Sequence, residues 1–506
     1  MRSNFPRYLI VGFTIFSLAC SNEKITEDTQ SSKEDHENQP SVHIDLPQIK
    51  KRKKLIAITS YCATCYFIYR GKPMGFEYEL LERLAKHLDV DLEIVVAENL
   101  NDVVKMLNEG KGDIIAYGMT ITQARQKKLA FTEHYTTTRQ VLVQRKPNNW
   151  RRMKHHQIEK SLIRNQIDLI GKSVHVRRNS SYYARLKTLS NELGGDINIV
   201  EVPGYLETEE LIQMVAEGKI DYTVADQNIA FINKTYYPDL DVETPISFPQ
   251  KIAWAVRKNS PELLAAVDDW ILETKRTTDY HVIYNKYFKN RKAYKRRIES
   301  PFYSKTGEKI SQYDALIKKS AKELGWDWLL LASMIYQESR FDPNATSWVG
   351  AKGLMQVVPE TAEPYGVTNL YDPKQNILAG TKYLIYLMDF WKTIPDSLER
   401  IKFVMASYNV GAGHILDAQR LAEKYGSDPN VWTDHVEKYI LLKSEKKYYY
   451  DEAVRNGYCR GAEPYNYVRE IWSRYSHYRQ VLEISALRNA SKKELISKLN
   501  FSFNAK

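Results

Sequence analysis

Glu338 carries the densest chemical content of this 506-residue chain. Residues 329–339 read as an apolar helix, with Asp327 as its N-cap. Glu338 follows Met334 by four positions, Ile335 by three and Leu331 by seven, so the helical period predicts it on the buried face. A carboxylate placed there is costly unless it is paired or its pKa rises. A raised pKa is what a general acid needs near neutral pH.

Three further clusters follow in order: Gly353-Leu354-Met355-Gln356, then Ala406-Ser407-Tyr408-Asn409, then Tyr465-Asn466-Tyr467-Val468. With Glu338-Ser339, this ordered set resembles the soluble-lytic-transglycosylase family, lysozyme-like enzymes that cleave peptidoglycan. The resemblance implies an all-helical domain over residues 311–482, in the α+β lysozyme-like superfamily. It implies that Glu338 is the sole acid/base and that the products end in a 1,6-anhydro ring. It places Ser339 beside the acid, Met355 and Gln356 on the floor of a sugar groove, and Tyr408 and Asn409 against the reacting sugar. Tyr467 would orient Glu338. The third motif here is Ser407-Tyr408-Asn409, where the family usually has Ala-Tyr-Asn. No convincing partner acid is visible, because Pro343 follows Asp342 and signals that the helix has ended. No cofactor and no metal are expected.

The elements upstream alternate. Over residues 51–291, strand-like runs (55–58, 90–96, 113–117, 173–177, 198–202, 220–225, 252–256) interleave with helical patterns, which predicts two α/β lobes around mostly parallel sheets, with a cleft between them. The segments Gly75-Phe76-Glu77-Tyr78-Glu79-Leu80 and Gly112-Asp113-Ile114-Ile115-Ala116-Tyr117-Gly118-Met119-Thr120-Ile121-Thr122-Gln123-Ala124-Arg125 resemble the periplasmic solute-binding domains of the polar-amino-acid class. The resemblance implies that Arg125 grips a ligand carboxylate, which suits a bidentate guanidinium, with Thr120 assisting. In the second lobe it implies Ser180 in a ligand-facing turn and Asp226 against a ligand ammonium. An amino acid or a wall-derived muropeptide fits that pair. Asn179 in place of glycine and the 61–65 stretch depart from the family pattern.

The length predicts two or three domains. The formal charge of +11 attracts polyanions. No nucleic-acid module is visible, and the chain start argues against that partner. Residues 1–20 have a basic start (Arg2, Arg7) and an apolar run from Tyr8 to Ala19 too short for a usual membrane span. The run closes on Ser17-Leu18-Ala19-Cys20, which resembles a bacterial lipobox with its Leu one place late. The expectation is a signal peptide, lipidation of Cys20, a flexible tether over 21–50, and a membrane-anchored protein of the bacterial envelope. Ser21 tips the choice toward the outer membrane, facing the periplasm. Residues 292–310 read as a basic linker and 483–506 as a polar, fraying tail. Cys62 and Cys65 have C-x-x-C spacing, which leaves open a local disulfide, free thiols or redox chemistry. The full order predicts a wall-cleaving enzyme with a ligand-sensing first domain. Its rivals are a lysozyme-type hydrolase and a solute-binding lipoprotein receptor whose helical domain docks on the wall.

Overall fold

The structure is a computed structural model and describes residues 40–98 and 102–503, with side chains described to residue 490. Cys20, the signal segment and most of the tether lie outside the described residues. Among the described residues no helix is long and apolar enough to cross a membrane.

The first domain has two lobes, each built on a twisted sheet. In the first, the spatial order is Asp91–Ala97, Lys54–Ser60, Ile114–Thr120, Gln250–Val256 and Ala130–Phe131, with Thr136–Thr138 also pairing to Gln250–Val256. In the second it is Asn198–Val202, Ser173–Arg177, Tyr222–Asp226, Gln140–Arg145 and Leu240–Asp241. The first three strands of each sheet are parallel. They are covered on both faces, so Leu55, Ala57 and Ile58 are all fully buried, as are Val174 and Val176. The chain crosses between lobes at residues 138–140 and returns before Gln250. The amide of Gln140 donates to Gln250 Oε1 at 3.1 Å and ties the two crossings together.

The second domain is helical, and polar caps set its boundaries. Asp327 accepts from Leu329 N at 2.9 Å to open the helix Trp328–Ser339, and Asp372 does the same for Pro373–Phe390 through Gln375 N. Gly325, at φ 74°, ends the preceding helix Asp314–Leu324. The last helix runs unbroken from Ala462 to Phe503, through the segment expected to fray. Packing holds its middle in place: His477 and Tyr478 are buried against the first lobe. The basic connector forms the helix Arg291–Ile298, and Ser304 then bonds back to Ile68.

The two domains do not have separate cores. One contiguous apolar cluster runs from Leu55, Phe67 and Trp254 of the first lobe through Tyr303 and Ile317 to Leu331, Leu354 and Ile471 of the helical domain. The second lobe has its own clusters around Val143 and Val174. The first lobe and the helical domain are therefore one packed body, and the second lobe is joined to it by the crossing strands, by a small apolar cluster of Ile232 with Ala63 and Tyr294, and by a few polar ties.

Candidate functional site

Glu338 is the next-to-last residue of Trp328–Ser339. Arg340 (φ 54°) and Phe341 (φ 63°) follow in left-handed conformations, which neither residue favours, and they break the helix directly after the acid. The carboxyl thus sits at the negative end of the helix dipole, which opposes its ionisation. Burial pushes its pKa up to about 7, and the Tyr467 hydroxyl, which donates to Oε1, pulls partly the other way. Asp342, the next carboxylate along the chain, is exposed and accepts a hydrogen bond from Asn344 N in its own loop.

Ser339, the Gly353–Gln356 loop and Tyr408 meet beside Glu338, in differing roles. Ser339 is buried, and its hydroxyl donates to Leu354 O at 2.7 Å, fastening the end of the acid-bearing helix to the Gly353–Gln356 loop. Gly353, at φ 75°, is tightly enclosed: a Cβ there would meet Leu370 O at 2.2 Å and the Asn376 amide at 2.4 Å. The Met355 side chain is fully buried against Gly380, and its backbone carbonyl accepts from the Tyr408 hydroxyl at 2.8 Å. Gln356, at φ 48°, turns its amide nitrogen to Ala345 O and Gly353 O. Asn409 stands exposed at the end of the helix Ser397–Val410. Asn376 was not singled out in the sequence. It is buried, accepts from Met355 N and donates to Lys352 O and Leu370 O, each at 2.8 Å, and so holds the loop. A polar residue on the apolar stripe of Pro373–Phe390 was its only signal.

The second constellation lies between the lobes. A cavity of about 700 Å³ is lined by Thr120, Arg125, Ser180 and Asp226 together. Arg125 donates to Thr120 O at 3.0 Å. The Thr120 hydroxyl lies 3.3 Å from that of Ser181, across the cleft. Ser180 spends its hydroxyl as the N-cap of the helix Ser181–Leu193. Asp226 is buried, its Oδ1 has no hydrogen-bond partner, and burial pushes its pKa up to about 7 against the pull of Tyr182 and Arg125. A buried acceptor left open at a cavity wall fits a donor arriving with a ligand.

Sequence reasoning also passed over Glu207, which binds three parts of the molecule. It accepts from Ser60 of the first lobe at 2.8 Å, pairs with Arg177 of its own lobe at 2.5 Å, and pairs with Arg488 of the last helix at 3.1 Å. Burial pushes its pKa up, but Arg177 and Arg488, joined by Lys305 and the Ser60 hydroxyl, together outweigh burial and bring it down to about 2. Arg488 and Lys305 each donate to Tyr61 O at 2.8 Å. Next to Tyr61, Cys62 and Cys65 are joined as a disulfide that lines the cavity. Among the described residues no cluster of metal-ligating side chains occurs.

Two family matches agree with this division. Bacterial extracellular solute-binding proteins, family 3, match residues 56–290, and the transglycosylase SLT domain matches residues 315–430. A protein of Desulfosudis oleivorans named membrane-bound lytic murein transglycosylase F is 38% identical over 435 residues, covering 86% of this chain and 92% of that one. One of Stutzerimonas stutzeri with the same name is 34% identical over 436 residues, covering 84% and 85%. Among solved structures, an ancestral amino acid-binding protein, a precursor of cyclohexadienyl dehydratase, is 27% identical with a TM-score of 0.40, covering 48% of this chain and 99% of that one. The holo arginine-binding protein of T. maritima is 26% identical with a TM-score of 0.38, covering 47% and 97%. With its two domains in this order and its likeness to those relatives running nearly end to end, the chain belongs to the membrane-bound lytic murein transglycosylase F family.

Proposed function

We propose that the chain is a peptidoglycan lytic transglycosylase of the cell envelope, which cuts the β-1,4 bond between MurNAc and GlcNAc without water and leaves 1,6-anhydro-MurNAc ends. The observation that carries this reading is a single carboxyl, Glu338, set near pH 7 by burial and held by Tyr467. Protonated Glu338 gives its proton to the glycosidic oxygen as the bond to the anomeric carbon breaks. The substrate's own N-acetyl oxygen stabilises that carbon. Ionised Glu338 then takes the proton of the MurNAc C6 hydroxyl as its oxygen closes the ring, and the acid is restored. One group with a pKa near the working pH serves both halves of this cycle. A hydrolase using two carboxylates requires a second one about 5–9.5 Å away, and Asp342 is committed to its own loop.

The first domain takes a ligand with a carboxylate and an ammonium, an amino acid or a stem peptide, between Arg125 and the open oxygen of Asp226. Closing on it moves the second lobe against the body formed by the first lobe and the helical domain, and so alters access to Glu338. A ligand does this only by binding the two states unequally. A lipid on Cys20 anchors the chain, at the outer membrane facing the periplasm. The test is mass spectrometry of peptidoglycan digested by the chain beside Glu338→Gln. Anhydro ends from the native chain alone support the reading. Reducing ends replace it with lysozyme-type hydrolysis.

A further inference from the structure

From the active site, a run of aromatic rings climbs out along the helix Pro373–Phe390. Tyr408, whose hydroxyl holds Met355 O, lies 5.4 Å by ring centroid from Tyr383. Tyr383 lies 6.0 Å from Tyr386, with ring planes within 13° of parallel. Tyr386 lies 6.4 Å from Phe390. Spacings of three and four residues put the last three on one face of the helix. The two rings beyond Tyr383 are the open ones: Tyr386 is 55% exposed and Phe390 38%. Its far end is fixed. Phe390 packs at 5.1 Å on buried Trp391, whose indole donates to Ser407 Oγ beside Tyr408. Burial raises the pKa of Tyr365 and of Tyr383, and the nearby Tyr386 hydroxyl adds to both shifts, so polar groups gather at the edge of the ring faces.

Rings left open to water in a row forgo the burial that usually places them in a core. Hydrocarbon faces edged by hydroxyls match a pyranose, which has an apolar C–H face and a rim of hydroxyls. A glycan strand passing Glu338 presents such faces in series. We infer that the Tyr383–Tyr386–Phe390 face is a glycan-binding track that prolongs the active-site groove and holds the strand several sugars from the bond being cut. The track rests on the transglycosylase reading for its ligand, but binding can be measured without turnover. Tyr386 and Phe390 do not touch Glu338; they act on strand length and affinity, not on the chemical step.

The experiment compares Glu338→Gln with the triple variant Glu338→Gln/Tyr386→Ala/Phe390→Ala for binding to purified peptide-free glycan strands and to a two-disaccharide fragment. The expected result is a loss of about tenfold or more in affinity for strands, with the fragment bound equally by both. Tyr386→Trp, replacing the ring with another, restores strand binding, and Tyr386→Leu does not. In the active chain, Tyr386→Ala/Phe390→Ala raises KM on strands and leaves kcat on the fragment unchanged. Equal strand affinity with and without the two rings overturns the track, and so does an equal loss on strand and fragment. If equal strand affinity is accompanied by weaker binding to phospholipid vesicles, the face belongs to a membrane instead. Anhydro ends absent from the native digest would defeat the transglycosylase reading, while the binding comparison would still decide the track.

Discussion

Tyr467 and Arg488 stand on one unbroken helix, 21 positions apart, or about 32 Å at 1.5 Å per residue. Tyr467 holds the Glu338 carboxyl, and Arg488 reaches Glu207 of the second lobe and Tyr61 O of the first. Between them, His477 meets Tyr66 at 2.5 Å and Tyr478 donates to Gly71 O at 2.6 Å, so the helix lies along the whole seam between the domains.

Tyr467→Phe removes a hydrogen bond that favours ionised Glu338. The Glu338 pKa then rises further above 7, and the alkaline limb of the pH profile of kcat/KM moves to higher pH. Activity at the optimum falls about tenfold or more as the acid loses its orientation. A profile with its limb unmoved would remove Tyr467 from the acid's immediate control.

Glu338 also affects stability. Its folded-state pKa is raised, so between pH 4.5 and 7 the folded chain binds more protons than the unfolded chain, and stability falls as pH rises through that window. Above pH 7 the buried charge costs up to about 3 kcal/mol. Glu338→Gln is therefore expected to melt at a higher temperature than the native chain at pH 8 and at nearly the same temperature at pH 4.5. Calorimetric scans at the two pH values provide the check.

Asp226→Asn keeps the shape of the cleft and removes the charge facing the cavity. Calorimetric titration with amino acids and stem peptides is expected to show at least a tenfold loss of affinity for whichever binds the native chain, because one ion pair is lost from a desolvated site. Affinity unchanged from native would place the ligand ammonium elsewhere.

Arg488→Ala cuts the tie from the helical domain to Glu207 and leaves the Arg177 pair in place. The expected outcome is faster hydrogen exchange around Tyr61 and in the helix Thr208–Ala216, with ligand affinity nearly retained. Any dependence of wall digestion on the ligand is expected to shrink. Digestion that still responds fully to ligand would show that coupling runs by another route.

His477 sits buried between Tyr66 and Tyr78, where burial, helped by Arg474, lowers its pKa to about 4. The folded state therefore binds fewer protons than the unfolded state between pH 4 and 6.5. The stability this contributes is complete above pH 6.5 and is lost as pH falls through that window. Urea titrations of His477→Gln are expected to show a flatter loss of stability on the acid side than those of the native chain.

The strands at 173–177 and 198–202 were legible residue for residue, because apolar alternation and flanking turns fix them locally. Asp327 as a cap and the apolar periodicity of Leu329–Ile335 also announced the helix that bears Glu338. Other features were hidden because their causes are distant in sequence. The hairpin Phe67–Tyr69 and Lys72–Met74 is too short to show a period, and it exists because Gly71 docks against Phe341, Tyr336 and Tyr478. Asn376 resembles any polar residue of a helix until the loop it holds is brought over it.

The residue types and their local order determined by themselves that there is an acid on an apolar helix, a loop that must turn on glycine, and two lobes of alternating strand and helix. These follow from spacing of at most a few turns. The meeting of Glu338 with Tyr467, 129 residues away, was implied only by the family resemblance and not by local spacing, and tertiary structure alone decided that Glu207 meets Arg488. It also decided that the polar tail continues a helix whose buried middle, at His477 and Tyr478, packs against the first lobe. Burial is a property of the assembled fold, and it is burial that turns an ordinary glutamate into one whose proton is exchangeable near pH 7.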